Sequence, residues 1–122
     1  MTDSWTIRLP YARPPISLNS RMHWAPKGKI TREIRAMTAL KARQARIPAM
    51  DSAHIELHWV PADRRKRDSD NPYPTLKAAI DGLKDAGVIS IDDDSEHVTS
   101  RVVIDLPDPN NPHLYLVIER KT

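Results

Sequence analysis

Cysteine is absent from this 122-residue sequence, and glycine occurs only three times. Without cysteine, the chain can form neither a disulfide nor a thiolate metal site. The glycines Gly28, Gly82 and Gly87 are too scattered to build a glycine-rich phosphate-binding loop. No serine stands in a nucleophile motif either. These absences exclude redox chemistry through thiols, P-loop nucleotide binding and serine hydrolysis.

Aromatic residues are scarce, with three Trp, three Tyr and no Phe. At 39% hydrophobic and 29% charged residues, the composition indicates a globular chain, and the length predicts one domain over residues 1–122. The core must come mainly from aliphatic residues, so a homodimer is one way to bury more apolar surface. Trp5, Trp24 and Trp59 are candidates for that shared surface or for the core.

Long hydrophobic runs are also missing. No stretch is long enough to cross a bilayer, and the segment from Met1 to Trp5 lacks the pattern of a secretory signal. We therefore expect a soluble, cytoplasmic protein. The net charge of +3 is mild, but acidic and basic residues are segregated along the chain, which favours an anionic partner.

Hydrophobic periodicity predicts a small α/β domain with one mixed β-sheet packed against two main helices, in the order β-α-β-α-β-β. Alternating apolar residues indicate the strands, and helical spacing indicates the helices. Pro72 and Pro74 suit the first turn of the second helix, and Gly87 is its predicted C-cap. Strands are predicted at residues 5–9, 55–59, 98–106 and 114–120, and the first helix at residues 27–47.

The first predicted helix has an apolar face and a basic face. Before it, residues 10–26 form a proline-interrupted segment that is long for a small domain, and such loops are often functional. Ile30, Ile34, Met37 and Leu40 recur at helical spacing and mark the predicted buried face. The basic stripe consists of Arg32, Arg35, Arg43 and Arg46.

Two aspartates separated by one residue stand before the second helix. If the backbone there is extended, Asp68 and Asp70 point the same way, and both carboxylates can bind one hard cation such as Mg²⁺. A later acidic turn, residues 92–94, can supply a third carboxylate. A basic run just before Asp68 can attract phosphate, and Lys77 can stabilise charge on it. Together these are the components of a metal-assisted phosphodiesterase.

Each component also has a simpler structural explanation. An Asp-x-Asp pair commonly caps a helix or occupies a solvated turn. Lys77 can pair with Asp81 one turn later. The basic and acidic runs can be solvated loops, and the basic stripe can be the wet face of an amphipathic helix. Only the combination of the paired aspartates, the later acidic turn, the basic run and Lys77 favours a catalytic site.

Other metal sites are less well supported. His54, Glu56 and His58 share one face of a predicted strand and could bind zinc or iron, but an outer, solvated face is the favoured interpretation. A calcium-binding EF-hand starting at the Asp-x-Asp pair is excluded, because Tyr73 occupies the glycine position and Ala79 the glutamate position.

Three segments carry a family resemblance: residues 64–71 (RRKRDSDN), residues 77–87 (KAAIDGLKDAG) and the pair at residues 92–93. Together they resemble the central signature of RusA-type endodeoxyribonucleases, which are Holliday-junction resolvases. Residues 9–21 resemble the family's opening more weakly. The resemblance implies a magnesium-dependent homodimer that cleaves four-way DNA junctions and is encoded by a bacterium or phage.

The resemblance also implies roles for individual residues. Asp68, Asp70 and Asp93 would be the catalytic and metal-binding acids, and Lys77 the catalytic lysine. The DNA-binding candidates are Arg64, Arg65, Lys66 and Arg67 in the basic run, Asn19 and Arg21 in the long loop, and Lys27, Lys29, Arg32 and Arg35 in the first helix.

Two departures from the family pattern bear on these roles. The family's lysine follows the asparagine by three positions, whereas Lys77 follows Asn71 by six. One extra helical turn would keep the lysine on the same face but further along the axis. Alternatively, Pro72 and Pro74 would hold the first part extended, which would restore the distance. The consecutive aspartates leave the third acid open between Asp93 and Asp94, since the latter fits when counted back from Arg101.

Two other functions fit the same residues. One is a non-catalytic DNA-binding module whose aspartates only cap and turn, and the other is a magnesium-dependent phosphodiesterase that acts on nucleotides. Magnesium-dependent nicking of a four-way junction distinguishes a nuclease from a non-catalytic DNA-binding module. Preference for junctions over mononucleotides distinguishes it from a nucleotide phosphodiesterase.

Overall fold

The computed structural model describes residues 3–17, 24–90 and 97–121, with the backbone alone for residues 24 and 25. Within these residues the predicted order β-α-β-α-β-β and the small α/β fold are confirmed. Neither helix in this part of the chain is long and apolar enough to cross a membrane. The elements are β1 (Ser4–Leu9), α1 (Trp24–Gln44), β2 (Ala53–Val60), α2 (Tyr73–Asp85), β3 (Val98–Ile104) and β4 (His113–Arg120).

The four strands form one mixed sheet in the order β1-β4-β2-β3. Strand β4 is antiparallel to both β1 and β2, whereas β2 and β3 are parallel and are joined by the crossover that contains α2. In register, Ile55 of β2 lies opposite Ile118 of β4 and Ser100 of β3. The crossover therefore places the start of α2 beyond the end of β2.

Alternate strand residues point to opposite faces of this sheet, and only one face is covered by the helices. Ile55 and Leu57 of β2 are fully buried against the helices, in the same core cluster as Ile34 and Leu83. Trp5 and Trp59 are partly buried and pack against this cluster, and the side chain of Trp24 lies outside the described residues. The other sheet face carries mainly polar side chains.

Helix α1 is shifted three residues toward the N-terminus relative to the predicted helix. Pro26 lies inside its first turn, where the missing N–H has no helical partner to lose. At the other end, Arg46 adopts a left-handed φ of 55°. The Ile47 N–H donates to Ala42 O at 3.2 Å, and the Arg46 N–H donates to Arg43 O at 3.0 Å. This is a Schellman cap, which ends the helix before Ile47.

The predicted buried face of α1 is only partly correct. Ile34 is fully buried, but Leu40 is 46% exposed. The buried line instead continues through Thr38 and Ala42, one and two turns after Ile34. Small side chains occupy this line because α2 crosses closely there at Gly82, whose position leaves no room for larger side chains. The placement of Leu40 in the core was therefore wrong.

Helix α2 begins and ends as its proline and glycine residues predict. Pro72 is the N-cap residue, and Pro74 lies in the first turn. At the C-terminus, Gly87 adopts a left-handed φ of 78°. The Val88 N–H donates to Leu83 O at 3.0 Å, as in a Schellman cap. The predicted C-cap at Gly87 is therefore confirmed.

Candidate active site and DNA interface

The Asp-x-Asp pair lies in a turn that leads into α2. Asp68 Oδ1 accepts a hydrogen bond from the Asp70 backbone N–H at 2.9 Å, and the Asp68 carbonyl oxygen accepts one from Asn71 at 3.1 Å. Both carboxylates are exposed. The backbone here is therefore not extended, because an aspartate side chain readily bonds the backbone two residues on and closes a local turn. We call Asp68, Ser69 and Asp70 the acidic turn.

The donor set of the acidic turn suits a hard divalent cation. Mg²⁺ in proteins typically takes one or two carboxylates, with water and phosphate oxygens completing its shell. The turn directly precedes α2, whose N-terminal partial positive charge favours ionised carboxylates nearby. Within residues 3–17, 24–90 and 97–121, no group of three or more His, Asp or Glu side chains could hold a metal ion. The described residues thus offer two of the three predicted acids.

The third predicted acid, Asp93, and its alternative, Asp94, lie outside the described residues. The chain is described again from residue 97, and the His97 carbonyl oxygen accepts a hydrogen bond from Ala53, the first residue of β2, at 2.8 Å. The acidic turn lies near the opposite end of β2, beside Trp59. The participation of either aspartate therefore stays a prediction.

Lys77 lies one helical turn inside α2, and its side chain is exposed. Residues 69–72 form a turn and α2 begins at Tyr73, so most of the spacing between Asn71 and Lys77 is helical rather than extended. Asp81 contacts Lys84 at 3.8 Å rather than Lys77. Among the described residues Lys77 has no ion-pair partner. Its ammonium group is thus available to a ligand bound near the start of α2.

The basic run before the acidic turn contains one arginine with a structural role. Arg67 donates to Asp63 Oδ1 at 2.7 Å and to the carbonyl oxygens of Asp63 and Arg65 at 2.9 and 2.8 Å. Its guanidinium carbon lies 4.8 Å from the centroid of the Trp59 ring. The Arg65 N–H and then Arg67 hold the pKa of Asp63 below its usual value. Arg67 therefore organises this loop, while Arg64 and Lys66 are exposed.

This difference predicts separate effects for the basic residues. The binding constant K for junction DNA should fall linearly on a plot of log K against log salt concentration. Replacing both Arg64 and Lys66 with alanine should reduce the magnitude of this slope by roughly two, because each phosphate contact contributes about 0.9 to it. Arg67→Ala should instead lower stability. Fluorescence anisotropy between 50 and 200 mM salt measures the slope, with Arg8→Gln on the outer sheet face as a control. An unchanged slope in the double variant would mean that the loop is only a solvated turn.

Two arginines of the basic stripe on α1 connect the helices. Arg35 Nη2 donates to Asp85 Oδ1 at 2.8 Å, and Arg43 Nη2 donates to the Asp85 carbonyl oxygen at 3.0 Å. The hydrogen bond from Arg35 is the main reason that the pKa of Asp85 is lowered. Phosphate contacts by Arg35 would compete with this ion pair. On this helix Arg32 and Lys29 are exposed and Lys27 is half-buried, while Arg46 is exposed in the turn that follows the helix. Asn19 and Arg21 lie outside the described residues.

On the outer sheet face, Glu56 is the centre of a polar network. Its Oε2 contacts His54 Nε2 at 3.1 Å and accepts a hydrogen bond from Arg101 Nε at 2.6 Å, while Oε1 contacts His58 Nε2 at 2.9 Å. The two histidines thus face different oxygens of one carboxylate. These three side chains lie on the outer face of β2, where their mutual contacts leave them partly buried rather than fully solvated.

The same network continues to β4. His58 Nδ1 contacts Asp105 Oδ2 at 3.0 Å, and the Tyr115 hydroxyl donates to that oxygen at 2.9 Å. The His58 and Tyr115 rings stack with their centroids 4.6 Å apart. Burial, followed by the bond to Asp105, raises the pKa of Tyr115. The sequence pattern could not identify these partners, because they come from strands whose register was unknown.

The network makes a pH-dependent prediction. Burial raises the pKa of Glu56. Hydrogen bonds from His58, Arg101 and His54 outweigh this effect and lower the pKa from its usual 4.5 to about 2. The ionised carboxylate therefore stabilises the fold above pH 4.5, and this contribution is lost as the pH falls toward 2. Glu56→Gln should cost about 1–3 kcal/mol at neutral pH.

Urea unfolding tests this prediction at about pH 6 and about pH 2. The difference between the wild-type protein and Glu56→Gln should shrink at the lower pH, because about half of the Glu56 carboxyl groups are then protonated. Glu119→Gln, at an exposed position on the neighbouring strand, is the control and should have little effect at either pH. An undiminished difference at low pH would contradict the assigned pKa.

A cavity of about 450 Å³ lies beside the acidic turn. Two of its lining residues, Arg67 and Asn71, flank the acidic turn in sequence, and Trp59 forms another part of its wall. The indole Nε1 of Trp59 is buried and has no hydrogen-bond partner in the described part of the chain. No local sequence pattern indicates this cavity, because its walls come from three separate segments. The remaining lining residues are Arg13, Pro14, Pro15, Ser17 and Pro72.

Comparison with known proteins adds one distant relative. No protein-family model matches the chain. It is 28% identical over 93 residues to an uncharacterized protein of Xylella fastidiosa (strain Temecula1), and the match covers 72% of this chain and 60% of the relative. The chain thus spans less than two thirds of that relative's length.

Proposed function

We propose that this chain is a magnesium-dependent endodeoxyribonuclease of the RusA type, which resolves four-way junctions in branched DNA by paired phosphodiester hydrolysis. The observation that carries the proposal is the acidic turn, where two exposed carboxylates precede a helix N-terminus. Exposed basic residues precede the turn, and Lys77 follows it. Such an enzyme would act on DNA in the cytoplasm of a bacterium or phage-infected cell.

Each group has one task in this proposal. Asp68 and Asp70 bind Mg²⁺, which when bound supplies an activated water and neutralises charge on the phosphate. Lys77 stabilises the negative charge that develops on the phosphate oxygens. Arg64 and Lys66 bind neighbouring phosphates, which offsets the repulsion between the carboxylates and the DNA backbone.

A junction assay tests this function directly. The purified protein is incubated with a labelled four-way junction, and with a linear duplex of the same sequence, in Mg²⁺ or in EDTA. We expect magnesium-dependent, paired nicks in the junction and little cleavage of the duplex. A parallel preparation of Asp68→Asn controls for contaminating nucleases.

The other outcomes identify the alternatives. Tight junction binding without cleavage at any Mg²⁺ concentration would indicate a non-catalytic DNA-binding module. Hydrolysis of mononucleotides or small phosphodiesters in preference to junctions would indicate a nucleotide phosphodiesterase. Either result would overturn the proposed function.

Paired cleavage also predicts a homodimer. A four-way junction has approximate two-fold symmetry, and the proposed site uses one acidic turn per chain, so two nicks require two chains in matching orientation. Sedimentation at micromolar concentration should show one species of twice the chain mass of 13.9 kDa. A protein that stays monomeric on junction DNA would favour single nicking or flap cleavage instead.

A further inference from the structure

The cavity beside the acidic turn has hydrogen-bond donor side chains in its wall. Asn71 and Arg13 both line it, and neither side chain has a hydrogen-bond partner among the described residues. Trp59 also lines the cavity, but its Nε1 is buried away from the cavity surface. Two donor side chains from separate segments thus border one space.

The cavity also has apolar walls suited to a flat ring. Pro14, Pro15 and Pro72 contribute rigid apolar surface, and Trp59 contributes an aromatic ring. Arg67 lies over the Trp59 ring, so its guanidinium extends the aromatic surface. Nucleobases stack on aromatic side chains and on arginine planes. The volume of about 450 Å³ lies within the range of small-ligand sites.

We propose that this cavity binds one unstacked nucleobase of the DNA strand whose phosphates lie at the acidic turn. The base would pack among Trp59 and the prolines, and its edge would accept hydrogen bonds from Arg13 and Asn71. Arginine and asparagine are the side chains that read purine edges most often in DNA complexes. The inference rests on the proposed function only in taking DNA as the ligand.

The position of the cavity links base binding to strand placement. Arg67 immediately precedes Asp68, and Asn71 immediately follows Asp70, so both ends of the acidic turn reach the cavity wall. A base held there fixes the register of its strand relative to the carboxylates. This base would therefore help to determine which phosphodiester is cleaved.

Binding of short single-stranded oligonucleotides tests the pocket without cleavage. Two labelled oligonucleotides of equal length are compared by anisotropy in EDTA, one with all its bases and one with abasic central positions. We expect about tenfold tighter binding of the base-containing strand, since stacking contributes substantially per base. In the Arg13→Ala, Asn71→Ala double variant, this ratio should fall toward one.

Two further variants separate the pocket from phosphate binding and from folding. Arg64→Ala should weaken binding of both oligonucleotides alike and leave their ratio unchanged. Trp59→Phe keeps a smaller aromatic ring and should reduce the ratio only partly. Far-UV circular dichroism checks that each variant is folded.

The result that overturns the inference is a ratio near one in the wild-type protein, including the case in which neither oligonucleotide binds. A full ratio in the double variant would also overturn it. The proposed nuclease function fails separately, through the absence of magnesium-dependent junction cleavage. A protein that cleaves junctions but shows a ratio near one would keep its function and lose the base pocket.

Discussion

Replacing Asp68 or Asp70 with asparagine is expected to reduce junction cleavage by about a thousandfold or more, because metal-assisted stabilisation of the reacting phosphate contributes several kcal/mol. Each change removes a charged oxygen ligand and retains the size of the side chain. Single-turnover cleavage of a labelled junction in Mg²⁺ measures the loss. Junction binding in EDTA should be kept or slightly tightened, since a negative charge near phosphate is lost.

The local structure offers a matched control for these variants. Asp68 Oδ1 accepts the N–H of residue 70, and an asparagine carbonyl can accept the same bond, so the turn should persist. Asp108 makes the same contact with the N–H of Asn110, at 3.2 Å, in the turn between β3 and β4. Asp108→Asn should therefore cleave like the wild-type protein. Near-normal cleavage by Asp68→Asn or Asp70→Asn would refute the site.

The sequence predicted the fold because the strands and helices carry strong periodic patterns. Ile55 and Leu57 alternate with polar residues and point into the core, as their spacing indicates. The two ends of α1 differ from the predicted ends at residues 27 and 47, and each difference has a local reason. Pro26 is compatible with a first helical turn, and Arg46 occupies a left-handed position usually filled by glycine.

The candidate site was only partly predictable, because sequence spacing does not reveal tertiary partners. The Asp68 and Asp70 pair was recognised from two residues and their basic neighbours. Arg67 and Arg35 are of a residue type that commonly binds DNA, but in the structure each forms an ion pair within the protein. Arg67 pairs with Asp63, and Arg35 pairs with Asp85. Asp85 reaches Arg35 across the helix–helix contact, which no local pattern shows.

That helix–helix contact predicts opposite effects for two Gly-to-Ala substitutions. A Cβ added at Gly82 in α2 would lie 2.5 Å from the Arg35 carbonyl oxygen and 2.8 Å from Thr38 Cβ, whereas one at Gly28 in α1 would meet only the end of the Arg32 side chain at 3.4 Å. In a helix, alanine is favoured over glycine by about 1 kcal/mol when nothing opposes it. Gly28→Ala should therefore stabilise the protein by up to about that amount.

Gly82→Ala should instead destabilise the protein by about 1–3 kcal/mol or more, because the clash is with backbone and overpacking forces the helices apart. Urea unfolding of both variants measures the two effects on one scale. Separating the helices would also weaken the Arg35–Asp85 ion pair. Gly82→Ala should therefore lose the stabilisation from this ion pair, whereas Gly28→Ala should retain it. If both variants were stabilised alike, α1 and α2 would not be in close contact at Gly82, and the small side chains along the buried line of α1 would need another explanation.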